Sequence, residues 1–309
     1  MSQIKQATLL SICIPTYNRA KVLNGNLEAL LNQVKGLDLP IEIIVSDNCS
    51  TDDTESVVNN FISRGLSVYY IKNSVNLGMD GNFAQCYRMA KGKYVLVLGD
   101  DDYLIDGMLQ KLLFELESGD YGLIHLHPRI TSEISKREYT DSILFLDEIS
   151  FWITYITSNI VNRKYVENYN FEQYYGTYLT IVPLYLNAAL KHEKNLMIYD
   201  RVFRDGVDIN SNGGYNFFQV FLVNYLNIWK QYVKDGMIKR DLFFSIKKDI
   251  FKKFLLHNAY NFLILKEKNN YNLEGSWFFL FKNYFYHTYF YLNIFLFIIK
   301  LIFKKLYVF

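Results

Sequence analysis

Cysteine is scarce in this 309-residue chain, and Cys13, Cys49 and Cys86 are widely spaced with no CxxC pairing. An odd, unpaired set excludes a disulfide framework or zinc knuckle and fits a reducing compartment. Charge of one sign is also lacking. The formal net charge is +2, too small for a broad nucleic-acid-binding surface. No GxGxxG, Walker loop, HExxH or GxSxG is present, which removes several enzyme classes. The first fifteen residues carry one Lys and a short apolar run with no small-residue cleavage site, so they read as a first strand rather than a secretion signal.

What is abundant is apolar and aromatic. Half of the residues are hydrophobic, with 26 Tyr and 24 Phe crowded toward the second half. That is enough for a sizeable core, and the aromatic excess points to a second apolar environment such as a membrane surface or a partner.

The first part alternates two patterns. Thr8 to Ile14, Ile41 to Ser46, Val68 to Ile71, Tyr94 to Leu98 and Gly122 to Leu126 are apolar, strand-like runs. Between them, Leu23 to Gln33, the stretch after Ser50 and Asp53, Gly81 to Ala90 and Leu109 to Leu116 have helical spacing. Buried strands separated by amphipathic helices imply an α/β fold with a mainly parallel, Rossmann-like sheet and helices on both faces. Ligands of such sheets bind beyond the carboxyl ends of the strands. From about Ser150 strand alternation fades and helical segments dominate, as in Tyr215 to Trp229 and Asp241 to Leu265. The expected division is a nucleotide-binding and catalytic domain over 1–210 and a helical region over 211–309.

Four polar clusters follow the first four strands, and each also has a plainer reading as a turn or helix cap. Gly99-Asp100-Asp101-Asp102 ends the fourth strand. Adjacent carboxylates repel one another and are costly to desolvate. A hard divalent cation, Mg²⁺ or Mn²⁺, removes that cost and bridges to phosphate oxygens. After the first strand come Pro15, Thr16, Tyr17, Asn18 and Arg19. Pro15 is expected to stop the strand, Tyr17 to pack on a base and Arg19 to meet phosphate. After the second, Asp47 suits a base imide or a ribose. After the third, Asn76, Gly78 and Asn82 offer amides and close backbone approach. His125 and His127 flank Leu126 and share one face of a strand, a pair that reads as core or acceptor-side rather than metal-binding.

In this order, PTYNR, VSDNCSTDD, NLGMDGNFAQCYRMAKGKY and GDDD resemble the family 2 glycosyltransferases of the GT-A fold group, with a flavour of the bacterial surface-polysaccharide branch that includes abequosyl- and rhamnosyltransferases. The resemblance covers about Leu9 to Leu113 and is weak afterwards. It implies a nucleotide-diphosphate-sugar donor, a saccharide or lipid-linked saccharide acceptor, and an inverting, metal-dependent transfer. Pro15 to Arg19, Asp47, Asn76, Gly78, Asn82 and Asp100 would then bind the nucleotide, and Asp101 and Asp102 the metal, with Asp102 also near the reacting sugar. One departure stands out: Gly99 occupies the place where many relatives carry the first Asp of Asp-x-Asp-Asp. Relatives also place the catalytic base in a later Glu-Asp motif. No such pair is present, and Glu172 is the best candidate, with Glu167 second.

Trp277 to Phe309 contains no Asp or Glu, and carries Lys282, Lys300, Lys304 and Lys305 among Phe, Tyr, Ile and Leu. A basic, aromatic, acid-free segment suits the inner face of a cell membrane, bound peripherally from the cytoplasm. Two other readings remain: a sugar nucleotidyltransferase, which lacks support in the absence of a Gly-rich basic N-terminal loop, and a degenerate membrane-bound scaffold, supported only by Gly99 and the missing Glu-Asp pair.

Overall fold

A computed structural model describes residues 7–127, 135–205 and 213–306. The chain forms two compact units, Met1–Ile209 and Asn210–Phe309. The first six residues, and the side chains of Lys300, Lys304 and Lys305 in the tail, lie outside the described residues.

The first unit is built on an eight-stranded sheet. Its strands are β1 (Leu10–Thr16), β2 (Ile41–Asp47), β3 (Val68–Lys72), β4 (Tyr94–Val97), β6 (Leu123–Leu126), β7 (Lys136–Tyr139), β8 (Asn159–Asn162) and β9 (Asn195–Ile198), in the order β3-β2-β1-β4-β8-β6-β9-β7. β8 and β7 run antiparallel to their neighbours and the other pairings are parallel. A short β5 (Asp102–Leu104) pairs with β10 (Phe203–Asp205) outside the main sheet. The chain leaves β1 toward β2 and β3, then returns to place β4 on the other side. The gap between β1 and β4 is therefore the switch point where α/β sheets bind ligands.

Alternation along β1 assigns the faces. Leu10, Ile12 and Ile14 pack with Leu23, Leu27 and Leu30 of α1 (Ala20–Val34), Val58 and Phe61 of α2 (Thr54–Ser63), and Leu109 and Leu112 of α4 (Met108–Glu117). On the opposite face, Cys13 Sγ meets the carbonyl of Cys86 in α3 (Gly78–Met89) at 3.4 Å. There α3 lies beside α6 (Val182–Lys191), joined by a 2.5 Å hydrogen bond between the hydroxyls of Tyr87 and Tyr185. Between β7 and β8, α5 (Ser142–Ile149) is capped by Asp141, which accepts from Ile143 and Leu144.

Two expectations need correction. Pro15 does not end β1, which runs on to Thr16 with Pro15 opposite Ser46. Thr16 bonds toward β2 through Asn48, while Cys13 bonds toward β4 through Leu98. By alternation, Pro15's missing donor falls on the β4 side, and β1–β4 pairing ends at Cys13 and Val97. The proline thus opens the sheet at the switch point. Strands also do not fade after Ser150: β8 and β9 are wholly buried in the central sheet. They are four residues long and open on Asn, too short and polar-flanked for periodicity to reveal them.

The second unit is mainly helical. A two-stranded pairing of β11 (Gly213–Asn216) and β12 (Asn270–Asn272) accompanies α7 (Tyr225–Lys234), α8 (Arg240–Ile250), α9 (Leu256–Ala259), α10 (Ser276–Tyr284) and α11 (Thr288–Leu306). Its core is aromatic, with Phe217 packed in tilted and edge-on contact with Phe221, Phe254, Phe262 and Tyr271. Among the described residues, no helix is long and apolar enough to cross a membrane.

Candidate active site

The loops after β1, β2, β3 and β4 meet on one rim. Asn18, in the left-handed region at φ 52°, ties the first loop to the second. Its backbone N–H donates to Ser50 Oγ at 2.8 Å, and its Oδ1 accepts from Thr51 N at 2.8 Å. Asp52 accepts from Ala20 N, at the start of α1, at 2.9 Å. The second loop is tied to the third by Asn48, whose amide donates to Asn76 Oδ1 and accepts from Leu77 N, both at 2.8 Å.

This network gives several expected ligand-binding residues an inward task. Asp47 is 0% exposed. Its Oδ1 accepts from Ser50 N at 2.8 Å and its Oδ2 from the Tyr70 hydroxyl at 2.6 Å. Asn82 is buried and bonds Ser46 twice, accepting from Oγ at 2.7 Å and donating to the carbonyl at 3.0 Å. Asn76 spends its Oδ1 on Asn48 and on Gly78 N. Gly78 has φ 71°, a turn geometry that glycine adopts freely. Outward from this scaffold, Tyr17 presents an exposed ring.

The acidic turn is the electrostatic centre. Asp102 N donates to the Gly99 carbonyl at 3.0 Å, closing the turn. Asn26 of α1 clamps it by donating to the carbonyls of Gly99 and Asp102 at 3.1 and 2.8 Å. Thr16 Oγ1 donates to Asp100 Oδ2 at 2.8 Å. Arg19 reaches both of the first two acids, Nε to Asp100 Oδ1 at 3.2 Å and Nη2 to Asp101 Oδ2 at 3.0 Å. Burial pushes the Asp100 carboxyl up to about 7, against the opposing pull of Arg19. Asp102 behaves differently from its expected place among the metal ligands. Its Oδ2 accepts a short hydrogen bond from Thr157 Oγ1, which in turn accepts the Gly99 N–H at 2.9 Å.

Gly99 is explained by the same turn. A Cβ at this position would lie 2.8 Å from Asp102 Oδ2 and 3.1 Å from Asp101 Oδ1. Those carboxylates fill the space that a side chain at 99 would take.

Asp100 and Asp101 offer hard oxygen donors converging on one cationic position, here held by the Arg19 guanidinium. That donor set fits Mg²⁺ or Mn²⁺ completed by diphosphate and water. Among the described residues, no three His, Cys, Asp or Glu side chains are grouped to hold an ion by themselves.

Glu172 is not brought to this centre. It is exposed and paired with Arg88 at 2.5 Å, in the last turn of α3, at the end of the helix away from Gly78 and the rim. The Arg88 hydrogen bond holds its carboxyl below the usual range. Glu167 pairs with Arg163 on the surface. Two residues carried no role in the sequence reading. Thr157 sits in an unremarkable segment with no signal. Asp80, visible inside the third motif, is 8% exposed, and its Oδ2 accepts from Gly176 N at 2.8 Å and Tyr178 N at 3.2 Å. Tyr178 has φ 59°, strained for a non-glycine residue. Asp80 therefore holds the turn that leads into α6.

Comparison with known proteins gives a consistent family. The sequence profile described as glycosyl transferase family 2 matches residues 11–180. Abequosyltransferase RfbV of Salmonella typhimurium is 43% identical over 114 residues, 36% of this chain and 33% of that protein; the chain thus aligns with only a third of that relative's length. A GalNAc(5)-diNAcBac-PP-undecaprenol beta-1,3-glucosyltransferase of Campylobacter jejuni is 31% identical over 233 residues, 72% of this chain and 73% of that one. The crystal structure of S. aureus TarS 1-349 in complex with UDP-GlcNAc superposes with a TM-score of 0.61 at 18% identity, covering 88% of this chain and 78% of that one. The last likeness is one of fold.

Proposed function

The chain belongs to glycosyl transferase family 2, and on that premise we propose that it moves a sugar, with inversion, from a nucleotide-diphosphate donor at the β1–β4 opening onto a saccharide hydroxyl. The observation that carries the reading is the convergence of Asp100, Asp101 and Arg19 on the rim where the sheet changes direction. Thr16 and Arg19 would face the diphosphate, and the exposed Tyr17 ring the base. Asp47, Asn76 and Asn82 serve by holding the loops in shape. Asp100 and Asp101 would hold Mg²⁺ or Mn²⁺, which when bound neutralises charge on the leaving diphosphate.

The transfer is one displacement. The acceptor oxygen bonds to the anomeric carbon, the bond from that carbon to the phosphate oxygen breaks, and the electron pair leaves with the diphosphate. The hydroxyl proton passes to a carboxylate. We assign this proton to Asp102 in place of Glu172, because Thr157 orients the Asp102 carboxylate beside the metal-binding pair whereas Glu172 is tied to the far end of α3.

The Salmonella and Campylobacter relatives point to surface-polysaccharide assembly, and the latter's name to a lipid-linked acceptor. Membrane attachment would serve such an acceptor. Trp277, Phe278, Phe281, Phe285 and Tyr286 on and beside α10 are exposed, in a stretch lacking Asp and Glu, as suits peripheral binding at an anionic lipid surface. Screening hydrolysis of a panel of nucleotide sugars tests the enzymatic reading. Turnover of one donor supports it, and no turnover with any donor refutes it. Flotation with anionic vesicles tests the tail: a protein lacking residues 277–309 that still floats would refute that assignment.

A further inference from the structure

The acidic turn is held from two sides. α1 holds it through Asn26, and the segment before β8 holds it through Thr157. That second segment runs from Ser150 to Ser158 as two short helical turns, and it carries Trp152 and Tyr155, whose ring centroids are 5.2 Å apart.

We infer that Trp152 and Tyr155 form the platform on which the acceptor's pyranose ring lies, held beside the acidic turn by Thr157 and supported from beneath by Asn159 and His125. This rests on the glycosyltransferase reading and extends it to the second substrate. A pyranose presents apolar C–H faces bordered by hydroxyls. It is recognised by rigid aromatic faces bordered by a few polar groups.

Three observations carry the assignment. First, the segment is pinned at atomic range to the reacting centre, since Thr157 Oγ1 bonds both the Asp102 carboxylate and the Gly99 N–H. Second, the platform is braced. Asn159 Nδ2 donates to the carbonyls of Ile153 at 3.2 Å and Tyr155 at 2.7 Å, and its Oδ1 meets His125 Nδ1 at 2.9 Å. With the Asn159 amide donating to carbonyls, its oxygen must accept from an Nδ1–H. Trp152 is half-buried, packed edge-on by His127 at 6.3 Å and against Phe151 at 4.6 Å. Third, the brace ends in an exposed ring. Tyr155 is 44% exposed, while the bond from Asn159 fixes its backbone and its ring leans on Trp152.

Sheet order separates the two substrates. The loops after β1, β2 and β3 lie to one side of β4, while the Trp152 segment leads into β8 on the other. An acceptor lying on Trp152 and Tyr155 would approach Asp102 from the side away from the nucleotide loops.

The test is saturation-transfer NMR of the full chain with a panel of methyl pyranosides (gluco, galacto, manno, rhamno and N-acetylgalactosamino). Nucleotide binding by calorimetry runs in parallel as the check on folding. The expected result is saturation of one or more glycosides by the wild type, weakened about tenfold in affinity by Tyr155→Ala and by Trp152→Ala, and retained in Tyr155→Phe. Equal saturation by wild type and both alanine variants would overturn the inference, as would wild-type saturation of none of the panel. Absence of nucleotide binding by the wild type would instead count against the transferase reading itself.

Discussion

Arg19 Nε lies 3.2 Å from Asp100 Oδ1, so the end of β1 is joined to the end of β4 by an ion pair across the switch point. Because Nη2 reaches Asp101 as well, one guanidinium offsets the repulsion of two partly buried acids. Replacing Arg19 by Ala should lower stability by about 2 kcal/mol and weaken nucleotide-diphosphate binding by about tenfold or more. Arg19→Lys should recover only part of both, since an ammonium lacks the two-pronged geometry. Urea denaturation and calorimetry read the two effects. Full recovery by Lys would show that charge alone matters.

Gly99 invites a counter-intuitive substitution. Introducing the acid that many relatives carry, by Gly99→Asp, adds a carboxylate but places its Cβ against Asp102 Oδ2 and Asp101 Oδ1. Metal-supported donor binding should therefore weaken, and Gly99→Ala should do the same with a small stability loss, of about 1 kcal/mol or less, because the atoms that must yield are the ends of two Asp side chains. Tighter Mn²⁺-dependent binding by the Asp variant would refute this explanation of the glycine.

Asp80 separates charge from shape. Asp80→Ala removes the acceptor for the N–H groups of Gly176 and Tyr178 and should lower stability by about 2 kcal/mol, with a fall in kcat/KM as the turn loosens. Asp80→Asn keeps an acceptor oxygen and should retain most of the activity. Equal loss in both variants would mean the charge itself is used.

Histidine gives a pH dependence of defined sign. Burial holds the His125 imidazole down at about 3, so the folded chain stays neutral there while the unfolded chain takes up a proton near the ordinary value. This contribution to stability is present above about 6.5 and is lost as pH falls toward 3, by up to about 1.4 kcal/mol per pH unit. Denaturation midpoints measured between pH 7.5 and 5 should fall less steeply for His125→Gln than for the wild type. Parallel slopes would place His125 in a wetter setting.

The central sheet and its four loops were legible because β1, β2 and β4 are apolar runs buried on both faces, alternating with amphipathic helices. The acidic turn was equally plain, since Asp100 to Asp102 announce themselves as adjacent charges. Direction was not legible. Asp47 and Asn82 stand where the motifs place them, yet their side chains serve the loops, which depends on Tyr70 and Ser46 arriving from other elements. Thr157 lies fifty-five residues from Asp102 in a segment without periodicity, so only the folded chain brings them together. Spacing along the chain points to Glu172, but the fold sets it against Arg88 at the far end of α3.

The most direct measurement is calorimetry of the full chain with UDP, TDP, CDP and GDP, with and without Mn²⁺, repeated on Asp101→Asn. The account predicts that one nucleotide binds with Mn²⁺, and that binding weakens about a hundredfold when the metal is withheld or the acid is neutralised. Binding of equal strength in all three conditions, or no binding of any nucleotide, would contradict it.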